Sequence, residues 1–189
     1  MNLEQEIIYR LKTEEIEVKE TARKQHSSKD LLENHYRTMI FNFLPDISPL
    51  FRIKNELLGL GYIDRDCIIR SGFRYSHPKN IFILENTFIN YSCTLLANSL
   101  ILIGKNVAIG PNVSIYCINH HLTASKEFES ERKPVYIDDN AWIGGGSIIL
   151  PGVKIAKATV IGAGSVVTKS TEESHLYAGV PAKKIRKIN

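Results

Sequence analysis

The chain has 189 residues, 43% of them hydrophobic, and a modest formal net charge of +4, so it is long enough to bury one core. Its first residues lack a basic segment followed by an apolar one, and no window approaches the roughly 18 apolar residues of a membrane span, so we expect a cytoplasmic protein. Three cysteines without a CxxC pair, Cys67, Cys93 and Cys117, predict buried free thiols rather than disulfides or a zinc site.

Residues 1–62 are predicted to form a helical region. Apolar residues recur at helical spacing near the start, and Ser28 is a candidate N-cap for a second helix that ends before Pro45. A third, shorter helix is predicted over residues 48–58. The remainder, residues 63–189, follows a different pattern.

A six-residue repeat organises residues 83–172. Six units run to His120, with two extra residues after the third unit, and six more start at Ile137; every unit begins with Ile, Leu or Val. Eight units have Asn or Gly at the fourth place: Asn86, Asn98, Asn106, Asn112, Asn140, Gly146, Gly152 and Gly164. Such self-similarity is typical of a solenoid.

A period of six fits neither a long amphipathic helix nor a hairpin of alternating strands, but it fits short strands separated by frequent corners. An ordinary residue loses about 1–2 kcal/mol in the left-handed conformation of a tight corner, whereas Gly accepts it freely and Asn tolerates it. We therefore expect a mainly β solenoid in which the leading aliphatic residues point inward and stack from coil to coil. The helical region should cover the first coil, whose exposed strand edges would invite aggregation.

One segment breaks the repeat. Ile115 and Ile137 are 22 residues apart, which is not a multiple of six, so the chain must leave the solenoid and return. The predicted protruding loop, residues 119–134, includes His120 and His121 and is otherwise mostly polar and charged. A polar insertion of this length in a compact repeat is more often functional than accidental.

Short motifs follow one another in a fixed order over about residues 70–188. They are Phe73-Arg74, Asn90-Tyr-Ser-Cys93, Ile109-Gly-Pro-Asn-Val-Ser-Ile-Tyr116, His120, Pro134, Asn140-Ala-Trp-Ile-Gly144, Pro151-Gly152, Ile161-Gly-Ala-Gly-Ser-Val-Val-Thr-Lys169 and Ala178-Gly-Val-Pro-Ala182. Together they resemble the galactoside, maltose and nodulation-factor O-acetyltransferases of the hexapeptide-repeat acyltransferase superfamily. The resemblance implies a left-handed parallel β-helix, acetyl transfer from acetyl-CoA to a sugar hydroxyl without a metal, and a homotrimer with active sites between subunits.

In that family the histidine that opens the loop is the general base, and the matching residue is His120. An imidazole suits this role because a sugar hydroxyl is a poor nucleophile near neutral pH; general-base catalysis typically contributes about 10²–10⁴-fold. The hydroxyl would attack the thioester directly, and the backbone N–H of Gly145 matches the family's donor to the oxyanion. Without the surrounding motifs, a single histidine is more often a surface or core residue than a catalytic one. His121, where relatives usually carry Pro, is interpreted as a loop residue.

Three residues match acceptor-binding positions of the family. Asn90 lies at the second place of its hexad, where a purely conformational role is less expected. Asn98 lies at the fourth place, where turn geometry alone would explain asparagine and where relatives commonly carry aspartate, so both roles stay open. Trp142 ends its hexad and should project from the solenoid, either towards the site or into trimer packing.

The resemblance also assigns residues to the cofactor. Ala163, Thr168 and Lys169 match positions along the CoA channel, and Lys183 and Arg186 match basic positions near its phosphates. Lys183 replaces an arginine of the family, so it would contact a phosphate as a single positive charge rather than through the two parallel hydrogen bonds of a guanidinium. The same charges could instead form a solvated basic C-terminal tail. Nucleic-acid binding, which would need them on a broad face, is not expected.

Three alternatives remain open. An amino-sugar N-acetyltransferase would share the fold, and a non-catalytic scaffold would bind no acetyl-CoA. A γ-carbonic-anhydrase-like metalloenzyme would need three histidines converging across a subunit interface. The N-terminal region lacks the Tyr-Asp-rich opening with which relatives recognise the acceptor, so surface polysaccharides and glycans are as plausible as simple galactosides or maltose.

Overall fold

The computed structural model describes residues 2–14, 28–46, 50–122 and 128–188. Within these segments three helices precede the strands: α1 (Leu3–Thr13), α2 (Ser28–Phe43) and α3 (Leu50–Leu57). None of them is long and apolar enough to cross a bilayer. The predicted capping contact of Ser28 and the predicted helical start at residues 48 and 49 fall outside what is described.

Short, mostly parallel strands form the three faces of a prism. Face A contains β1 (Tyr62–Ile63), β4 (Ile81–Ile83), β7 (Ile101–Ile103), β12 (Val135–Ile137) and β15 (Lys154–Ile155). Face B contains β2 (Ile68–Ile69), β5 (Phe88–Ile89), β8 (Ala108–Ile109), β13 (Trp142–Ile143), β16 (Val160–Ile161), β18 (His175–Gly179) and the antiparallel β19 (Ala182–Lys187). Face C contains β3 (Arg74–Ser76), β6 (Thr94–Leu96), β9 (Ser114–Tyr116), β14 (Ile148–Ile149) and β17 (Val166–Val167). A separate hairpin consists of β10 (Ile118–Leu122) and β11 (Phe128–Arg132).

The chain visits faces A, B and C in turn through five successive coils, which confirms the predicted left-handed parallel β-helix. The leading aliphatic residues of the hexads form its core. On face A, Ile83 pairs with Ile103 and Ile103 with Ile137, and all three side chains are fully buried. Burying one such side chain contributes roughly 1.5–3 kcal/mol. Stacking thus supplies the core that no single coil could have.

Cys67, Cys93 and Cys117 are free and buried in this core, as predicted. Burial raises the pKa of the Cys67 and Cys117 thiols to about 12 and that of Cys93 to about 11. A thiol with so high a pKa stays protonated near neutral pH and is a poor nucleophile. The cysteines therefore serve packing rather than chemistry.

The fourth place of the hexad is a corner with positive φ. Seven of the eight predicted positions adopt it, with φ between 55° and 83°: Asn86, Asn106, Asn112, Asn140, Gly146, Gly152 and Gly164. Ser92 and Ala158 adopt it too, at 60° and 53°, although their units offer neither Asn nor Gly. Asn98 is the exception, because its φ is not positive. Turn geometry therefore does not explain the asparagine at position 98.

α1 lies against face A rather than over the first coil, which differs from the expectation for the helical region. Its buried Ile7 and Leu11 pack with Phe82, Leu102 and Tyr136, the outward residues of three successive strands. Three ion pairs add to this contact: Glu6–Lys154, Arg10–Asp139 and Glu14–Lys105. The outward positions of face A are so large and apolar that they need a cover, and α1 supplies it.

α2 and α3 lie at the first coil. Phe41 of α2 and Leu58, just after α3, are fully buried in the main core. Lys54 of α3 is fully buried as well and pairs with the carboxylate of Asp46. That carboxylate also accepts hydrogen bonds from the backbone N–H and the hydroxyl of Ser71, each 3.0 Å long. A buried ion pair thus joins the helices to the first corner between faces B and C.

Candidate active site

The β10–β11 hairpin leaves the prism at the corner between faces C and A of the third coil. A hydrogen bond of 3.0 Å from the Lys133 amide to the Cys117 carbonyl closes its base. The hairpin begins at Ile118, one residue before the predicted loop, and residues 123–127, which connect its strands in the sequence, lie outside the described residues. The break in the repeat is therefore an ordered pair of strands on which His120 faces Ser130.

The imidazole of His120 is exposed, and a neighbouring hydroxyl holds one side of it. Nδ1 lies 3.1 Å from the Ser130 hydroxyl, and the His120 backbone N–H donates to the Asn119 side-chain oxygen at 3.0 Å. When Nδ1 carries the proton and donates it to Ser130, Nε2 has a free lone pair. In this tautomer His120 can accept a proton from a ligand at Nε2.

His121 has a different environment because successive residues of a strand point to opposite sides. Its Nε2 lies 3.2 Å from Glu131, which also pairs with Lys133 at 2.7 Å. Hydrogen bonds from Lys133 and His121 lower the pKa of the Glu131 carboxyl. His121 is thus part of a surface ion-pair network of the hairpin.

Ser130 was not singled out by the sequence analysis. Ser130 belongs to the run Phe-Glu-Ser-Glu-Arg, residues 128–132, which forms the strand that pairs with the strand containing both histidines. Only this pairing brings Ser130 to His120. A strand prediction there would have placed Ser130 opposite His120.

The C–A corners form one edge of face C and carry four of the predicted site residues. Asn98 lies one coil below His120, because β6 pairs directly with β9. Thr168 and Lys169 follow β17, two coils above β9, and are exposed. Acceptor and cofactor candidates thus lie on either side of the histidine along this edge.

The B–C corners form the opposite edge and carry Asn90, Gly145 and Ala163 in the second, fourth and fifth coils. The amides of Gly144 and Gly146 each donate to a carbonyl of an adjacent coil at 2.8 Å. The amides of Gly145 and Ala163 have no acceptor in the described part of the chain. Two N–H groups, one coil apart, are therefore available to a ligand.

The lower coils of this edge offer no such groups. The Ser71 amide donates to Asp46, and the Tyr91 amide donates to the side-chain oxygen of Asn90 at 2.8 Å. In the third coil the equivalent residue is Pro111, which has no N–H. Asn90 keeps its side-chain nitrogen as the group that could contact an acceptor.

Trp142 lies on face B beside this edge and is 57% exposed. It pairs with Ala108 and Val160 of the adjacent coils. Lys183 and Arg186 are exposed on β19, at the end of face B opposite β2 and the first coil. The segment predicted as a basic tail is thus an ordered strand, because its backbone pairs with β18.

Comparisons with known proteins agree with the fold described above. A family model described as bacterial transferase hexapeptide (six repeats) matches residues 134–169. The galactoside O-acetyltransferase of Lactococcus lactis subsp. lactis (strain IL1403) is 38% identical over 130 residues, which are 67% of this chain and 63% of that protein. A solved maltose O-acetyltransferase from Clostridium difficile 630 is 34% identical, with a TM-score of 0.77 over 86% of this chain and 90% of the other. This chain belongs to the hexapeptide-repeat acetyltransferases.

A galactoside acetyltransferase solved in complex with coenzyme A resembles this acetyltransferase with 30% identity and a TM-score of 0.78, covering 94% of this chain and 90% of the other. The complex shows that the same architecture holds coenzyme A in that protein. Among the described residues of the acetyltransferase, no three His, Cys, Asp or Glu side chains are grouped so that they could hold a metal ion.

The two edges of face C stay apart within one chain of the acetyltransferase. Val113 and Cys117 flank β9, and at about 3.3 Å per residue the four steps between them span roughly 13 Å. Reacting groups must approach to roughly 3–3.5 Å. His120 on one edge and Gly145 on the other are therefore not brought together in one chain.

Proposed function

We propose that this acetyltransferase moves the acetyl group of acetyl-CoA to a hydroxyl of a saccharide, with His120 as general base. The observation that carries the proposal is the exposed imidazole of His120, which Ser130 holds at Nδ1 and which has no partner at Nε2 among the described residues. The acceptor oxygen attacks the thioester carbon while its proton passes to Nε2. The tetrahedral intermediate collapses to the ester, and the thiolate of CoA leaves and takes the proton from His120.

The oxyanion needs a donor at the moment it forms. The Gly145 amide is unpartnered in the described part of the chain, unlike the amides on either side of it. It can donate without breaking a bond of the fold, which is the preorganisation that oxyanion stabilisation requires. Removing one such donor typically costs about 10²–10³-fold in rate.

Acetyl-CoA is the proposed acetyl donor. Ala163 offers a second open amide, one coil beyond Gly145, and Thr168 and Lys169 would line the pantetheine channel. Lys183 and Arg186 on β19 would contact the phosphates of CoA. Arg186 would form two parallel hydrogen bonds to a phosphate, and Lys183 would contribute a single positive charge. The similar galactoside acetyltransferase that was solved in complex with coenzyme A supports coenzyme A as the cofactor.

The separation of the two edges supports an active site shared between subunits of a homotrimer. His120 and Gly145 can share a thioester only if the C–A edge of one subunit meets the B–C edge of another. Such a contact joins two different surfaces, and repeating it closes a ring if the rotation between subunits closes. The resemblance favours three subunits, each contributing to two sites. Trp142 and Asn90, beside the B–C edge, would then face the acceptor that is bound at the neighbour's His120. Asn98 lies on the same C–A edge as His120 and would contact the acceptor from that side.

The proposal is tested by incubating the protein with acetyl-CoA and a panel of sugars and amino sugars while following thiol release. We expect release with a sugar hydroxyl acceptor and a product that mild alkali cleaves, because it is an ester. An alkali-stable product would mean N-acetylation. His120→Ala should lower kcat/KM by about 10²-fold or more, whereas His121→Ala should change it little. An unchanged rate in His120→Ala would remove the proposed base.

A further inference from the structure

A pocket of about 530 Å³ lies between α2 and the first strand of face C. Its lining consists of His35, Thr38, Met39, Asn42, Phe43 and Arg74; we refer to it as the α2 pocket. The volume lies within the roughly 300–1,000 Å³ of small-molecule sites. Two apolar side chains, a guanidinium and an imidazole contribute to it, and no lining residue is acidic.

Some polar groups of the α2 pocket are used by the fold and others are not. The Asn42 side chain donates to the Phe73 carbonyl at 3.2 Å and accepts from the Gly72 amide at 2.9 Å, so it is committed. The guanidinium of Arg74 is exposed and makes no hydrogen bond or ion pair with the described residues. Arg74 is therefore available to a ligand.

The positive charge of Arg74 is not balanced locally. Of the acidic side chains with described contacts on α2 and just after it, Glu33 pairs with Arg37 at 2.7 Å and Asp46 pairs with Lys54. Both carboxylates are already matched by a cation. The planar guanidinium of arginine fits a carboxylate or a phosphate with two parallel hydrogen bonds. An anionic ligand is thus the chemical complement of the α2 pocket.

The position of the pocket indicates which ligand it would be. Face C has the strand order β17, β14, β9, β6, β3, so Arg74 on β3 and the cofactor candidates after β17 lie on opposite sides of the strand that leads to His120. Neighbouring strands are about 4.8 Å apart. Arg74 thus lies roughly 10 Å from β9 on the side away from the cofactor candidates. It is level with Ser114, the first residue of β9, and therefore lies at the B–C edge, which the proposed assembly brings to a neighbour's His120.

We propose that the α2 pocket binds the carboxylate or phosphate of an acidic sugar unit that lies next to the unit acetylated at the neighbour's His120. Arg74 forms the ion pair, and Met39 and Phe43 pack against the apolar face of that sugar. The proposal rests on the function proposed above and narrows the acceptor to an anionic saccharide. Arg74 is then a specificity-determining residue rather than a catalytic one.

Calorimetric titration without acetyl-CoA tests this directly. The probes are a disaccharide with one glucuronic acid unit, the matching neutral disaccharide, glucose 6-phosphate and glucose. We expect the wild type to bind an anionic probe at least about tenfold more tightly than its neutral counterpart, with a preference that weakens as salt rises. Comparison of the uronic acid with the phosphate identifies which anion the pocket takes.

Two variants make the test specific. Arg74→Gln should lose about tenfold in the anionic preference, and Arg74→Lys should retain part of it. Arg65→Gln removes the same charge from an exposed turn between β1 and β2 and should leave the preference unchanged. Thermal midpoints should agree among the variants, since Arg74 holds no described partner.

Equal binding of anionic and neutral probes by the wild type would overturn the proposal, as would an unchanged preference in Arg74→Gln. A variant that changes the size of the assembly but not the preference would also overturn it, because the pocket would then be an interface between subunits. Failure of the proposed function appears separately, as absence of thiol release by the wild type, since these titrations require no acetyl transfer.

Discussion

The two edges of face C belong to the same coils but follow different rules. Along the B–C edge every corner has a residue with positive φ: Gly72, Ser92, Asn112, Gly146 and Gly164. The last four donate their amides to the coil below at 2.8–3.1 Å. The C–A edge has a 3₁₀ helix in the first coil, a corner without positive φ at Asn98 and the hairpin in the third coil. The regular B–C edge therefore offers backbone N–H groups to a ligand, and the irregular C–A edge offers mainly side chains.

The largest expected effect concerns the base of the regular edge. Asp46→Asn leaves the charge of Lys54 fully buried without its partner, so the free energy of unfolding should fall by about 3–5 kcal/mol. Chemical denaturation measures this. Glu33→Gln, which breaks an exposed pair with Arg37 on α2, is the control and should cost at most about 1 kcal/mol. Equal losses in the two variants would contradict the importance of the buried pair.

The effect of Asp46→Asn should also depend on pH. Burial alone would raise the pKa of the Asp46 carboxyl, but hydrogen bonds from Lys54 and Ser71 outweigh burial and hold that pKa below its usual range. Such a carboxyl adds stability above its unfolded pKa of about 3.9 and loses it as the pH falls below that value. The difference between wild type and variant should therefore be full at pH 7 and shrink below about pH 4.

The next effect compares two glycines of one B–C corner. A Cβ at Gly144 would lie 2.5 Å from the backbone nitrogen of Ala163 in the next coil, whereas a Cβ at Gly146 would meet no atom within 4 Å. Gly144→Ala should cost about 3 kcal/mol, because it forces stacked coils apart. Gly146→Ala should cost only the strain of positive φ, about 1–2 kcal/mol. Denaturation midpoints in the reverse order would show that φ, not the stacking distance, limits this edge.

On the irregular edge, Ser130→Ala should weaken catalysis without affecting the fold. It removes the group that holds Nδ1 of His120, and one hydrogen bond of about 0.5–1.5 kcal/mol corresponds to a loss of about 2- to 12-fold in kcat/KM. Ser130→Thr keeps the hydroxyl and should restore activity. Glu131→Gln, which affects the neighbouring His121 instead, should not change the rate. Equal activity of the alanine and threonine variants would argue against a positioning role.

The smallest expected effect is that of Asn98→Ala on stability. Without a positive φ to maintain, the change should stay within about 0.5 kcal/mol, whereas Asn112→Ala, at a φ of 58°, should cost about 1 kcal/mol. If Asn98 contacts the acceptor, KM for the sugar rises while KM for acetyl-CoA is unchanged. A large loss of stability in Asn98→Ala would indicate that Asn98 has a structural role.

The sequence predicted the regular edge well because one physical cause, positive φ at a corner, selects Asn or Gly in four of its five coils. The positive φ of Ser92 and Ala158 was not predicted, because neighbouring coils impose this conformation on residues that do not favour it. His120 was identified where the repeat fails, and its role came from resemblance rather than from periodicity. The Gly145 amide was also assigned by resemblance. The periodicity alone could not show that this amide lacks an acceptor in the described part of the chain, since that depends on which carbonyls the adjacent coils supply.

α1 is synthesised before any coil, yet its binding surface is completed only when the fifth coil has formed. Ile7 and Leu11 pack on residues from Phe82 to Tyr136, and the ion pairs of α1 reach the third, fourth and fifth coils. In most solenoids each coil contacts only its neighbours. Here α1 contacts the second to the fifth coils at once, so a stack with a missing coil or a shifted register would lose part of this contact.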